Sequence, residues 1–140
     1  MTRLIAPLFI LAALALAACG GDDDGEPDAS IPDAQPARGT ISMSWRLVSA
    51  GADAACTDVG ARYVLVEMVR EGEAAGEADT FDCALGAATT REVDAGTYEV
   101  RADLLDAQAD TLLPAQVRWT GIGVTEDRDT SIGEVVFELE

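Results

Sequence analysis

TISMSWRLV, Thr40 to Val48, alternates apolar and polar residues. Ile41, Met43, Trp45 and Leu47 fall on one side, and Ser42, Ser44 and Arg46 on the other. Successive side chains of an extended chain point to opposite faces, so a period of two marks a strand with one face in a core. A helix would bring apolar residues back every third or fourth position instead. The stretch therefore predicts a half-buried β-strand, and the sequence on its C-terminal side follows suit.

After a segment containing Cys56 comes ARYVLVEMVR, Ala61 to Arg70, rich in β-branched residues and apolar on both parities, as a central strand would be. Glu71 to Gly76 reads as a turn. Asp79 to Cys83 alternates again, and Thr89 to Val93 is a short β-prone piece ending at Asp94-Ala95-Gly96. Thr97 to Leu105 places Tyr98, Val100, Ala102 and Leu104 on one face. Val117 and Trp119 mark another strand, and Val135, Phe137 and Leu139 alternate with Glu134, Glu138 and Glu140 in the last. Leu104 to Leu113 fits either a hairpin-like excursion or a short helix that Pro114 would end. About six to eight short strands separated by turn residues predict an all-β domain, a sandwich or barrel. Of the two, the expectation is a single small antiparallel β-sandwich over Gly39 to Glu140.

VDAGTYEVRADLLD, Val93 to Asp106, resembles the GxYxVxV element of prealbumin-like and carboxypeptidase-regulatory-like β-sandwiches, and GARYVLVEMV, Gly60 to Val69, resembles their preceding strand. The same element fits fibronectin- or immunoglobulin-like sandwiches. The resemblance implies the architecture and carries over no functional residue. In physical terms, Gly96 is expected to permit a tight turn, and Tyr98 to enter the core with its hydroxyl on a backbone partner.

On the N-terminal side the chain changes character twice. Met1-Thr2-Arg3 is a short positive start, and Leu4 to Ala18 is almost wholly apolar. A hydrocarbon core needs roughly twenty helical residues, so this run reads as a secretory signal peptide (residues 1–18) rather than a short membrane anchor helix. Leu16-Ala17-Ala18-Cys19 resembles the lipobox of bacterial lipoproteins. That resemblance implies cleavage after Ala18, a diacylglycerol on the Cys19 thiol and attachment to a membrane through it. Each buried methylene adds about 0.8 kcal/mol of membrane affinity, so two or three acyl chains hold firmly. Gly20, not Asp, follows the cysteine, which by the same resemblance favours the outer membrane. From there to Arg38 the composition is almost entirely Gly, Asp, Glu, Pro, Ala and Ser, with Ile31 the only large apolar residue. Residues 19–38 are thus expected to be the lipidated cysteine and a disordered acidic tether.

The chain carries 26 acidic and 9 basic residues and no histidine, a net charge of −17. Phosphate affinity comes from Lys and Arg, so this balance argues against nucleic acid as a partner. Lacking histidine, the chain has no Ser-His-Asp or Cys-His site, and it shows no G-x-S-x-G and no phosphate-cradling glycine loop. The expectation is a protein without enzymatic activity, catalytic residues or cofactor. With Cys19 lipidated, Cys56 and Cys83 remain. In an exported protein they are expected to form one disulfide, against the alternatives of free thiols or half a metal site.

Binding features are few. Trp45 and Trp119 are candidates for an aromatic platform for sugar rings, although both sit among apolar same-face neighbours as core residues do. Trp119 is the ligand-binding candidate. Asp106 with Asp110, or Asp127 with Asp129, are candidates for calcium, which needs six or more oxygen ligands. The loops Gly51 to Ala55 and Gly121 to Asp129 are candidate protein-binding surfaces. The functional expectation is a membrane-anchored envelope lipoprotein that presents a β-sandwich for interaction or structure, with a carbohydrate- or calcium-binding module as the alternative.

Overall fold

Ile41, Met43, Trp45 and Leu47 turn into the core, each 6% exposed or less, while Arg46 faces water. They belong to β1 (Arg38–Ser49), which starts at the last residue assigned to the tether. A computed structural model of the chain describes residues 35–139; the signal segment, Cys19 and most of the tether lie outside them. The further strands are β2 (Ala52–Ala54), β3 (Tyr63–Arg70), β4 (Glu77–Asp82), β5 (Ala87–Thr89), β6 (Val93–Asp94), β7 (Gly96–Leu105), β8 (Val117–Val124) and β9 (Asp129–Leu139). Short 3-10 turns at Cys56–Val59 and Cys83–Leu85 interrupt them.

Two sheets face each other. One runs in the order β4-β3-β7-β8, all antiparallel. In the other, β1 pairs along one side with the short β6, β5 and β2 and along the other with β9. The expected β-sandwich is present, with one departure from an antiparallel fold: β9 runs parallel to β1, Thr40 opposite Asp129 and Ser49 opposite Leu139. The cause is the turn after β8, which hands the chain to the opposite sheet beside the start of β1, where Thr40 N donates to Arg128 O at 3.0 Å. Gly39 makes this approach possible, since a Cβ there would collide with the carbonyl oxygen of Thr125.

The inner faces supply one core. Ile41, Val64, Val66, Met68, Val93, Val100, Leu104, Val135 and Phe137 are all at most 1% exposed. Burying a side chain of this size stabilises the fold by about 1.5–3 kcal/mol relative to exposure. The inward set of β7 is the one its alternation predicts, Tyr98, Val100, Ala102 and Leu104. Beyond β7, the open choice over Leu104 to Leu113 resolves as a hairpin-like excursion. Thr111 bridges back to Leu105, Leu112 N donates to Leu104 O at 2.8 Å, and Leu113 returns to the core.

The two sheets are tied where β4 ends. Cys56 and Cys83 form a disulfide with a Cα–Cα distance of 6.1 Å, and Trp45 Nε1 donates to the Cys83 carbonyl at 2.8 Å. Nearby, Arg91 Nε donates to Asp79 at 2.6 Å and Arg91 Nη2 to the Ala78 carbonyl at 3.0 Å. Among the described residues no helix is long and apolar enough to cross a membrane.

Candidate functional site

The tryptophans do not form a platform. Trp45 is 6% exposed, and its ring stands 6.4 Å from that of Phe81. Trp119 lies on β8 in the other sheet, opposite Val100, and packs half-buried against the core. Each indole points between the sheets. Trp45 packs in the core as expected, and Trp119 packs partly buried against it.

One carboxylate of each aspartate pair, that of Asp106 and that of Asp129, is spent on the fold. Asp106 Oδ1 accepts from the Gln108 and Asp110 amides at 2.8 and 2.9 Å, closing the turn after β7. Asp129 accepts from the Thr40 and Ser42 hydroxyls at 3.0 and 2.5 Å, locking β9 to β1. Asp127 stands at φ 53° in the β8–β9 turn, its amide donating to the Arg38 carbonyl at 2.8 Å. Among the described residues neither pair gathers a third Asp, Glu, His or Cys into a group that could hold a metal ion.

The two candidate loops are smaller than the sequence indicates. Ala52–Ala54 pairs as β2 with Leu47–Ser49. Val117–Val124 is strand throughout, so the second loop shrinks to residues 125–128 between β8 and β9. Gly121 lies at an irregularity of register against β7 between Tyr98 and Val100, and Gly123 pairs with Thr97. Gly121 has φ 72°, a conformation that costs glycine little.

The best-formed polar surface is one that sequence reasoning missed. On the outer face of the four-stranded sheet, Arg101 of β7 donates to Glu99 Oε1 at 2.6 Å and to Glu67 Oε2 of β3 at 3.2 Å. Arg118 of β8 reaches Glu99 at 3.4 Å. The hydrogen bond from Arg101 holds the Glu99 carboxyl below the ordinary carboxylate range, so it stays an anion at neutral pH. A cleft of about 260 Å³ opens beside this ladder, lined in part by Val69, Glu71, Thr97, Glu99, Arg101 and Thr120. It offers hydrogen-bond donors and acceptors; of its carboxylates Glu99 is tied to guanidinium groups, while Glu71 and Glu73 have no ion-pair partner among the described residues. Glu99 and Arg101 are next-but-one neighbours on β7, whereas Glu67 and Arg101 are far apart in sequence and are joined only by the register of β3 against β7.

Tyr98 sits at the rim of that cleft and behaves as its sequence context predicts. The ring is 5% exposed, and the hydroxyl donates to the Asp94 carbonyl at 2.7 Å, four residues upstream. Burial raises the phenol pKa. Gly96 serves here by leaving room rather than by an unusual backbone angle: a Cβ on it would come within 2.9 Å of Arg70 Nε. Arg70 Nη2 in turn donates to the Ala95 carbonyl at 3.0 Å.

Comparison with known proteins adds little to this geometry. No protein-family model matches the chain, and no curated protein matches it. Among solved structures, a leucine-rich repeat protein from Bacteroides thetaiotaomicron is similar over 74% of this chain, at 19% identity and a TM-score of 0.47. The chain spans 14% of that protein's length.

Proposed function

We propose that this protein is a non-enzymatic lipoprotein of the bacterial envelope, in which Cys19 carries the lipid and the β-sandwich is presented beyond the membrane for interaction or envelope structure. The observation that carries the reading is how the three cysteines divide. Cys56 and Cys83 are consumed by a disulfide within the fold, which suits an oxidising compartment. The remaining cysteine is Cys19, at the end of Leu16-Ala17-Ala18-Cys19 after an apolar segment. The acidic stretch that follows then spaces the domain from the lipid surface, with Gly20 favouring the outer membrane. Carboxylates engaged in ion pairs and turn closures support a binding or structural role over a catalytic one.

Fractionation tests the reading. The wild-type chain is expected to pellet with membranes and to be released only by detergent. Cys19→Ala is expected to lose that detergent-dependent behaviour while the domain keeps its disulfide. Equal partition of the two forms would overturn the anchor.

The ligand-binding alternative gains no support from Trp119, which packs half-buried against the core, or from the Asp106 and Asp129 carboxylates, which close a turn and a strand pair.

A further inference from the structure

Sheet edges are templates for further strands, and folded proteins usually blunt them with very short strands, bulges, covering groups or charge. The four edges of this sandwich differ in that respect. On β4, the Arg91 side chain lies across the Ala78 carbonyl. The β6, β5 and β2 side of β1 consists of pieces of two or three residues. The β8 edge is broken at Gly121, and its Gly123 carbonyl accepts from the Thr130 hydroxyl at 2.9 Å.

β9 is different. It has a bulge at Gly133, φ 81°, but beyond it Glu134 to Leu139 pairs in unbroken register with Ser44 to Ser49 on one side. Among the described residues no strand pairs with its other side. That edge is guarded by charge alone, since Glu134 and Glu138 project from the outer face while Val135 and Phe137 point into the core. Glu134 pairs at 2.9 Å with Arg46, which it shares with Asp53, and Glu138 has no ion-pair partner among the described residues. At the end of the strand, Val48, Ala50, Pro114 and Leu139 border a shallow hollow of about 450 Å³.

We propose that the Glu134–Leu139 edge of β9 is a docking site for an extended, basic strand of a partner protein. The incoming strand adds to the sheet through its backbone, sets lysine or arginine beside Glu134 and Glu138, and places an apolar side chain in the hollow at Leu139. Charge selects this occupant. A second copy would bring its own Glu134 and Glu138 against these, and like charges across a strand pair are destabilising. The chain's own segment from Gly20 to Ala37 holds one large apolar residue and repeated aspartates, so it is equally mismatched. The proposal rests on the reading of the domain as an interaction module but not on lipidation, so a failed anchor at Cys19 leaves it standing.

Amide hydrogen exchange on the full chain in detergent tests it, with a short synthetic peptide alternating valine and lysine as probe. Slowed exchange confined to Glu134–Leu139 is expected, with no such effect from a peptide carrying glutamate in place of lysine. Glu138→Arg, an exposed substitution outside the core, is expected to weaken binding about tenfold or more, a change of roughly 1.4 kcal/mol. Unchanged exchange at β9, protection at β4 or β8 instead, equal binding of the acidic peptide, or β9 protection that grows with chain concentration without peptide would each overturn the proposal. Membrane fractionation of the same preparation separates that failure from failure of the anchor.

Discussion

Trp45 Nε1 donates a 2.8 Å hydrogen bond to the carbonyl of Cys83, the residue whose sulfur is bonded to Cys56. Indole and disulfide therefore converge on one residue at the end of β4, and together they join the two sheets. Reducing the disulfide frees a loop with a sequence separation of 27 residues, which costs about 3.5 kcal/mol by the chain-entropy relation. Thermal melting with and without reductant should show the loss. An unchanged melting temperature would remove the disulfide from any part in holding the sheets.

Trp45→Phe keeps an aromatic ring, though a smaller one, and removes the indole donor from the Cys83 carbonyl, which retains only the longer bond from the Gly86 amide at 3.3 Å. The expected loss is about 1 kcal/mol in a denaturant titration, the worth of one hydrogen bond. A neutral outcome would mean that the Gly86 amide alone satisfies the carbonyl.

Phe137 is fully buried on the inner face of β9, whereas Trp119 is half-buried at the edge of the opposite sheet. Phe137→Ala should cost about 3–5 kcal/mol. Trp119→Ala should cost less, about 2 kcal/mol, because part of the ring already faces water. A Trp119→Ala variant with unchanged stability would reopen the indole as a ligand platform.

Tyr98 links stability to alkaline pH. Burial holds its phenol pKa above the ordinary value of 10.0, so the folded state favours the neutral, hydrogen-bonding form. The contribution is therefore complete below pH 10 and is lost as pH rises through the folded pKa. Tyr98→Phe should destabilise by about 1 kcal/mol at neutral pH and flatten the alkaline limb of a stability–pH curve. An alkaline limb identical in the two proteins would contradict this.

Glu99 acts at the other end of the scale. Its carboxyl is held low by the hydrogen bond from Arg101, so the stability it supplies is present above the ordinary carboxylate pKa and disappears as pH falls through the folded value. Glu99→Gln should shrink the acid-side fall of the same curve, and added salt should reduce the difference between the two proteins. A salt-independent difference would point to packing rather than charge.

Much of the fold could be read from local pattern. The alternation in β1 and β7 identified their inward residues, because a period of two needs only neighbouring positions to be seen. The same logic placed Tyr98 in the core, and its partner turned out to be only four residues away. What escaped reading depends on long-range partners. Nothing local in β9 says that it lies parallel to β1, and the short β5 and β6 become strands only because β1 passes beside them. The Glu67–Arg101–Glu99 ladder likewise exists only once β3 and β7 are in register. The stretch expected as a loop from Gly121 on is strand as far as Val124, with a bulge at Gly121, φ 72°.

The central claim, a lipid-anchored envelope protein, is tested most directly by mass spectrometry of the N-terminal peptide of the protein isolated from its native membranes. The account predicts a chain that begins at Cys19 and carries diacylglycerol on its sulfur. A mature chain that begins elsewhere, or one whose Cys19 thiol is unmodified, would contradict it.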